Sequence, residues 1–361
     1  MKYSVQGYEF SKSDLELWCW NRLPEVEPWE RSHLMVILQW LGPGSVMEVR
    51  TSGSTGEPRT MELSKEMMTH SARTTASVLG LPAASRVLLC LPSEYIAGKM
   101  MIIRALVNRW QLTWIKPSED PFAGIRQTFD LTALTPVQTL ACLASEDSMF
   151  HRLKCCLIGG QRISGPLTAA LQSSKVRCIE TYGMTETASH IALREINGPS
   201  QSDFFAPLPG VSLSLDDRSC LVIDAPRWNL HNLITNDVVE SGQGGGFRFV
   251  GRADFVINSG GIKIHPEQLE RKVRHLIQGR YFVMGIPDDK RGEKVALFIE
   301  SEEPESIDVL KLISAFREEL NPFERPRFIS IVPKIDHTAT YKLKRRFYEG
   351  GVITEPDYSV K

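Results

Sequence analysis

The sequence predicts an α/β protein with a large N-terminal α/β lobe, a β-rich subdomain within that lobe, and a small α+β C-terminal domain. Between residues 46 and 181, short apolar segments alternate with helical stretches, a pattern typical of a largely parallel sheet covered by helices. After Pro199 the apolar segments are shorter and turn residues are more frequent. A compact set of helices and strands ends the chain, so we predict domains at 1–252 and 253–361.

The elements of the N-terminal lobe follow from apolar spacing and from helix boundary residues. A helix is predicted over 29–41, because Leu34, Leu38 and Leu41 recur at helical spacing before Gly42 ends it. Further helices are predicted at 64–79, 95–108, 136–144 and 166–173. Strands are predicted at 46–49, 87–91, 112–115, 153–158 and 176–181, and in the β-rich subdomain at 213–215, 220–223 and 247–250.

The C-terminal domain combines two predicted helices with three predicted strands. Pro266 favours the first turn of a helix over 266–277. The remaining elements are a helix at 307–320 and strands at 281–286, 294–299 and 327–332.

Composition and charge indicate which kind of molecule the protein binds. The chain has 361 residues, 42% of them hydrophobic, and a net charge of -1, which favours a small-molecule partner over nucleic acid or a membrane. Seven cysteines without a Cys-x-x-Cys pair argue against a disulfide framework and a zinc site. The N-terminus has no apolar signal core and no apolar run is long enough to span a bilayer, so we expect a cytoplasmic protein.

Residues 51–59, Thr-Ser-Gly-Ser-Thr-Gly-Glu-Pro-Arg, predict a phosphate-binding loop. Gly53 and Gly56 allow successive backbone N–H groups to converge on one anion, and Arg59 supplies a countercharge. Hydroxyl donors come from Thr51, Ser52, Ser54 and Thr55. We expect a strand-to-helix loop here, although the composition is also typical of a mobile surface turn, and the pattern is not that of a P-loop.

A second polar motif, at residues 181–187, follows the last predicted strand of the α/β layer, at the edge where such sheets bind ligands. Tyr182 can stack on a purine, and Gly183 lets the backbone approach a ligand closely. Thr185 can donate to a phosphate, and Glu186 can hold Mg²⁺ beside phosphate oxygens. The alternative is an acidic residue that serves only a helix dipole.

Two weaker features lie further along the chain. Asp237 can accept hydrogen bonds from both hydroxyls of a ribose, and Arg252 can donate to a sugar or a phosphate, but each is equally compatible with a turn acid or a surface ion pair. The basic run at 338–346 is typical of a solvated face.

The order of these motifs, with the segment Gly-Arg-Ala-Asp-Phe-Val-Ile-Asn-Ser-Gly-Gly-Ile-Lys-Ile from Gly251 and a late lysine, resembles the adenylate-forming acyl-CoA synthetase family. The resemblance runs from about residue 46 to 347 and rests on four motifs in the same order. Within that family, residues 91–106 are similar to the short bacterial o-succinylbenzoate CoA ligases of menaquinone biosynthesis.

The resemblance implies that ATP activates a carboxylic acid as an acyl-adenylate, with release of pyrophosphate, and that coenzyme A then attacks it. It implies that Thr51 to Gly56 hold the β- and γ-phosphates, Thr185 the α-phosphate, and Glu186 the Mg²⁺. Tyr182 should cover the adenine. The remaining nucleotide contacts implied are Gly160 and Gln161 near the adenine and Asp237 and Arg252 at the ribose.

The resemblance also implies a mobile C-terminal domain. Lys342 matches the lysine that bridges the acid's carboxylate and the α-phosphate. Asp254 falls at the family's hinge, about which the C-terminal domain rotates to present Gly260 and Gly261 to the pantetheine channel.

Several positions depart from the family pattern. Arg59 replaces a lysine, and glycines are replaced by Asn236 and Tyr341. The region before the phosphate loop is also shorter than in typical members, and a homodimer partner is one way to cover the exposed face.

The second carboxylate of o-succinylbenzoate needs a countercharge in an apolar pocket. Lys99 and Arg104 are the candidate cations, and His190 is a further candidate. The alternatives are a surface lysine at position 99 and a packing role for His190.

Two other functions stay open from the sequence. An adenylating enzyme that acts on another carboxylic acid, or that loads acyl groups onto a carrier protein, would share these motifs. A degenerate nucleotide-binding protein would account for the departures at Arg59 and Tyr341.

Overall fold

The computed structural model describes residues 2–50, 60–145, 149–336, 343–348, 351–356 and 358. The chain forms two compact units, and each is described by itself. The first unit comprises Met1–Leu213, Ile223–Leu233 and Gly242–Phe247, and the second comprises Ser214–Val222, Ile234–Ser241 and Arg248–Lys361. The domain boundary between residues 252 and 253 stays a prediction.

The first unit is built on strands and helices that alternate along the chain. Its strands are β1 (Tyr3–Val5), β2 (Tyr8–Phe10), β3 (Val46–Arg50), β4 (Thr60–Ser64), β5 (Arg86–Leu89), β6 (Gln111–Trp114), β7 (Leu131–Leu134), β8 (Cys155–Ile158), β9 (Arg177–Gly183), β10 (His190–Glu195) and β11 (Ala206–Pro207). Its helices are α1 (Lys12–Arg22), α2 (Pro28–Leu41), α3 (Lys65–Leu79), α4 (Ile96–Asn108), α5 (Pro136–Ala144) and α6 (Gly165–Gln172).

Nine of these strands form one sheet in the order β11-β10-β9-β8-β7-β5-β6-β1-β2. The central strands β6, β5, β7, β8 and β9 run parallel, and β10 lies antiparallel to β9. Every residue of β8 is buried, as expected for a parallel strand covered on both faces. The predicted α/β fold class is confirmed, and so is the alternation that predicted it.

Helix boundaries follow the capping residues. The hydroxyl of Ser64 accepts a hydrogen bond from the Met67 N–H at 3.1 Å and begins α3, as the sequence predicts. Thr135 and Gln138 form a reciprocal capping box that begins α5.

Three predictions for the first unit were wrong or incomplete. The segment 51–59 joins two antiparallel strands, β3 and β4, and not a strand to a helix. The short strand β4 was not predicted because its last residue, Ser64, is also the N-cap of the helix α3. The strands β1, β2 and β7 were also missed, since strands of three or four residues carry almost no periodic pattern. The helix α1 was missed because only Leu15 and Cys19 of its eleven residues are buried, which leaves little apolar periodicity.

Four strands form a second sheet in the order β12-β13-β14-β15. They are β12 (Ser212–Leu215), β13 (Cys220–Ala225), β14 (Leu230–Ser241) and β15 (Phe247–Arg252). Residues 235–237, which the sequence placed at the end of an apolar stretch, lie in the interior of the twelve-residue strand β14.

The second unit has a six-stranded sheet with two helices. Its later elements are β16 (Ile257–Ser259), β17 (Ile262–Ile264), α7 (Pro266–Val273), β18 (Tyr281–Asp288), β19 (Gly292–Glu300), α8 (Val309–Glu319), β20 (Phe328–Val332) and β21 (Val352–Thr354). The sheet order is β17-β16-β19-β20-β21, with β18 also paired to β19. Buried side chains of α7 and α8, such as Leu269 and Phe316, share one apolar core with the sheet residues Val283 and Leu297.

The seven cysteines are unpaired and buried, as expected for reduced core residues. Within the described ranges, the helices are too short or too polar to cross a bilayer.

Candidate nucleotide and acid site

The carboxyl ends of β8 and β9 bring two predicted segments to one edge of the large sheet. Gly160 and Gln161 follow β8, while Tyr182 and Gly183 end β9. Because β8 and β9 are parallel neighbours, the loops that follow them lie side by side.

The turn after β9 is fixed by contacts within itself. A Cβ on Gly183 would lie 2.1 Å from the Ser189 carbonyl oxygen, so this close approach requires glycine. The Met184 N–H donates to the buried hydroxyl of Thr187 at 3.0 Å. These contacts leave Thr185 half-buried and Glu186 exposed at the tip of the turn.

The carboxylate of Glu186 fits a magnesium ligand. It makes no hydrogen bond or ion pair with the part of the chain that the structure describes. In the same part, no group of three His, Cys, Asp or Glu side chains converges on one point. A Mg²⁺ ion held by one carboxylate and by substrate phosphates is compatible with such a sparse site.

Tyr182 lies in an aromatic cluster. Its ring meets Phe247 edge-on with centroids 4.9 Å apart, and it lies 5.9 Å from Phe205. These contacts orient the ring that the sequence assigned to adenine stacking.

Arg104 is a buried cation without a carboxylate partner among the described residues. The residue is 2% exposed, and its guanidinium group donates to the Ser189 hydroxyl at 2.6 Å. Its Nε is buried without a hydrogen-bond acceptor. Burial lowers the pKa of Arg104 to about 10, so the side chain stays charged at neutral pH.

His190 orients Arg104. The two side chains meet at 3.3 Å through the Arg104 Nη2 and the His190 Nδ1, and since arginine only donates, Nδ1 must be the acceptor. The other ring nitrogen, Nε2, lies 2.9 Å from the Thr75 hydroxyl, which itself donates to the Ser71 carbonyl. Burial, and then the charge of Arg104, hold the pKa of His190 well below its usual value. Both ring nitrogens of His190 therefore already have hydrogen-bond partners, which favours a role in positioning Arg104 over a direct contact with the substrate. The substrate contact stays a prediction.

Lys99 is buried and not on the surface. Its ammonium group donates to the backbone carbonyl of Glu48 at 2.5 Å. Burial lowers the pKa of Lys99, while the Glu48 carboxylate acts in the opposite direction. Its role as a substrate cation stays a prediction.

In the second unit, the residues predicted for the ribose and the hinge form one polar cluster. Arg252 donates to the Asp237 carboxylate at 3.2 Å and pairs with Asp254 at 2.5 Å. Asn236, which departs from the family pattern, donates to the other Asp254 oxygen at 2.9 Å. The departure at position 236 thus adds a side-chain contact to the predicted hinge residue.

Gly260 and Gly261 form the two-residue connection of a β-hairpin between β16 and β17. Both have positive φ, at 60° and 82°, which is the geometry that such a tight connection requires. Their predicted role toward coenzyme A stays a prediction.

Two predicted parts of the site lie outside the described residues: the loop 51–59 with Thr51, Ser52, Gly53, Ser54, Thr55, Gly56 and Arg59, and the catalytic candidate Lys342. The segment that follows Lys342 is described and is anchored by Arg345. Arg345 makes a two-pronged ion pair with Glu270 and donates to the Val283 carbonyl at 2.6 Å. Glu267 lies 3.9 Å from the same guanidinium group.

Sequence reasoning missed three polar residues beside these sites: Glu180, Arg194 and Glu270. Glu180 and Arg194 are charged residues inside apolar strands, and opposite charges in two successive strands are the pattern that could have paired them.

Comparisons with known proteins identify the family of the chain. Residues 50–224 match the family model of the AMP-binding enzymes. The 2-succinylbenzoate–CoA ligase of Escherichia coli is 27% identical over 302 residues, which is 79% of this chain and 64% of that protein. The chain therefore spans less than two thirds of the length of that relative.

Two solved structures show the same fold. An acyl-CoA synthetase (AMP-forming)/AMP-acid ligase II-like protein from Dyadobacter fermentans is 33% identical with a TM-score of 0.63, and the alignment covers 93% of this chain and 97% of that one. The o-succinylbenzoate CoA synthetase of Bacillus subtilis, solved with its acyl-adenylate intermediate, is 20% identical with a TM-score of 0.73, covering 84% and 69%. The chain belongs to the family of AMP-binding, adenylate-forming enzymes.

Proposed function

We propose that the protein is an ATP-dependent o-succinylbenzoate CoA ligase, which converts the acid, ATP and coenzyme A into the acyl-CoA, AMP and pyrophosphate. The observation that carries the proposal is the buried charge of Arg104, which has no carboxylate partner among the described residues.

A lone buried cation is costly to a fold and is retained where an anion joins it. Arg104 contacts Ser189 and His190, which directly follow the motif at 181–187. A dicarboxylic acid with one carboxylate at the nucleotide would place its second carboxylate within the same region of the first unit. The names of the relatives agree with this substrate.

The family resemblance supports the roles of the nucleotide-binding residues, and the neighbouring ends of β8 and β9 support those of Gly160, Gln161 and Tyr182. Tyr182 packs against the adenine beside Gly160 and Gln161, and Thr185 donates to the α-phosphate. Asp237 and Arg252 bind the ribose, and the loop 51–59 binds the outer phosphates. A magnesium ion on Glu186, when bound, neutralises charge on the leaving pyrophosphate.

The remaining residues serve the two half-reactions. Lys342 donates to the acid's carboxylate and the α-phosphate while the mixed anhydride forms. Asp254 acts as the hinge, and the Gly260–Gly261 hairpin faces the pantetheine arm during thiol attack. A cytoplasmic location and a homodimer complete the proposal.

The proposal is tested by pyrophosphate exchange over a panel of carboxylic acids, followed by detection of the CoA thioester. We expect o-succinylbenzoate to give the fastest exchange and a thioester on free coenzyme A. Faster exchange with another acid would overturn the substrate assignment. Thioester formation on a holo carrier protein but not on coenzyme A would identify a carrier-loading enzyme instead.

A further inference from the structure

The loop between β8 and α6 is fixed at both ends by two successive residues of β9. At its first end, a Cβ on Gly159 would lie 2.1 Å from the Thr181 hydroxyl, so the loop starts in close contact with that side chain. At its second end, the Ile163 N–H donates to the Glu180 carboxylate at 3.0 Å. Gly160, with a φ of 84°, lies between the two fixed ends.

The Glu180 carboxylate is itself held by Arg194 across the β9–β10 ladder. The Nε of Arg194 donates to Oε2 of Glu180 at 2.7 Å, and its Nη2 lies 2.5 Å from the same oxygen. The other oxygen, Oε1, accepts from the Ile163 N–H. Only 6% of the Glu180 side chain and 13% of the Arg194 side chain are exposed. Each oxygen of the Glu180 carboxylate therefore has its own donor. Because the pair is buried, its hydrogen bonds fix the relative positions of the groups that they join.

The pair also reaches the aromatic cluster at Tyr182. The Arg194 guanidinium carbon lies 5.8 Å from the centre of the Phe205 ring, and Phe205 stacks on Phe247. Both rings contact Tyr182. The ion pair thus contacts the loop 159–163 directly, and it reaches the ring of Tyr182 through Phe205.

We infer that the Glu180–Arg194 pair positions the adenine-binding loop, with Glu180 acting through the Ile163 N–H. This inference rests on the proposed nucleotide site. Neither residue is assigned a contact with the nucleotide, so both are positioning residues. Their loss is expected to weaken binding of ligands that carry the base and to spare binding of pyrophosphate.

Two double variants isolate the contact with the loop. E180Q/R194M and E180L/R194M both remove the two buried charges, so neither leaves an unpaired ion. Glutamine can still accept the Ile163 N–H, whereas leucine cannot. The Kd values of Mg-ATP and Mg-pyrophosphate are measured by calorimetry on the full chain. We expect E180L/R194M to bind ATP about tenfold more weakly than E180Q/R194M, with equal pyrophosphate affinity and similar melting temperatures.

A neighbouring ion pair on the same two strands provides a matched control. Arg177 donates to Glu195 at 2.5 Å, but this pair lies at the opposite end of β9 and is 42% and 19% exposed. E195Q is expected to change ATP affinity less than twofold. The inference would be overturned if the two double variants bound ATP equally well, or if E180L/R194M lost as much affinity for pyrophosphate as for ATP. It would also be overturned if E195Q lost as much ATP affinity as E180L/R194M. A chain that binds ATP but activates no acid would overturn the proposed function and leave this comparison standing.

Discussion

Arg104 in the first unit is 2% exposed and the side chain of Arg345 in the second unit is 12% exposed, but the surroundings of the two arginines differ in charge. Arg345 faces the carboxylates of Glu270 and Glu267, whereas Arg104 meets a hydroxyl, an imidazole and a thioether. Burial lowers the pKa of Arg104 to about 10. For Arg345, burial acts in the same direction, but Glu270 outweighs it and raises the pKa above its usual value.

This difference in surrounding charge distinguishes an arginine with a structural role from one that is available to bind an anion. A buried arginine that is paired with a carboxylate holds secondary-structure elements together. Its removal leaves the partner carboxylate without a countercharge. A buried arginine without a carboxylate partner lowers the stability of the fold unless an anion binds to it. Such a residue therefore indicates a ligand site. Removal of the Arg345 charge should therefore lower stability, whereas removal of the Arg104 charge should weaken substrate binding and leave stability unchanged or higher.

The largest effect is expected for R345M. Loss of the guanidinium group leaves the Glu270 side chain, which is only 19% exposed, without its ion-pair partner, and this should lower the free energy of unfolding by about 3–5 kcal/mol. The adjacent Arg346 is a matched control, because its pair with Asp336 has a 61% exposed arginine side chain. R346M should cost less than about 1 kcal/mol in the same denaturant titration. Comparable losses in both variants would remove the distinction on which the comparison rests.

The next largest effect concerns the segment that Arg345 anchors. K342A should slow adenylation by roughly two to three orders of magnitude, the scale of one preorganised charge donor. Thioester formation from supplied acyl-adenylate should persist, as stopped-flow measurement of each half-reaction would show. Equal loss in both half-reactions would contradict separate roles for the C-terminal domain.

For Arg104 we expect a loss of function with no loss of stability. R104M should lower kcat/KM for o-succinylbenzoate about 100-fold, because the second carboxylate then lacks its cation. The free energy of unfolding should stay constant or rise, since a lone buried charge has been removed. A strongly destabilised R104M protein would show that the arginine is compensated by residues outside the described ranges.

The smallest effect is a pH dependence of stability. His190, which accepts from Arg104, has a strongly lowered pKa, and burial lowers the pKa of His33 to about 4. The unfolded chain therefore binds these protons first, so stability is full above about pH 6.5 and falls as the pH decreases, by up to about 1.4 kcal/mol per pH unit for each histidine. H190N keeps an acceptor near the Nδ1 position and should flatten this slope in urea titrations between pH 7 and 5. An unchanged slope would contradict a neutral His190.

The motifs could be read from the sequence because each is local. Residues 181–187 and the Gly260–Gly261 hairpin carry their own turn chemistry in consecutive positions. The alternation that predicted the parallel sheet is also a local property, and the structure confirms it.

The charge environments could not be read from the sequence, because each needs side chains from distant elements. The setting of Arg104 depends on α3, α4 and β10, whose contacting residues lie up to 115 positions apart. The sequence left Lys99 open between a surface lysine and a ligand, since only the fold shows that its ammonium is covered by β3. The β3–β4 hairpin was missed for a similar reason: the pairing of β4 with β3, and not its own short pattern, makes it a strand.

The most direct test of the central claim combines one substitution with one change of substrate. Pyrophosphate exchange is measured for wild type and R104M with o-succinylbenzoate and with an analogue in which the second carboxylate is replaced by a methyl group. We expect wild type to prefer o-succinylbenzoate about 100-fold, and R104M to treat the two acids alike. If R104M retained the wild-type preference, the buried charge of Arg104 would not be the group that recognises the second carboxylate.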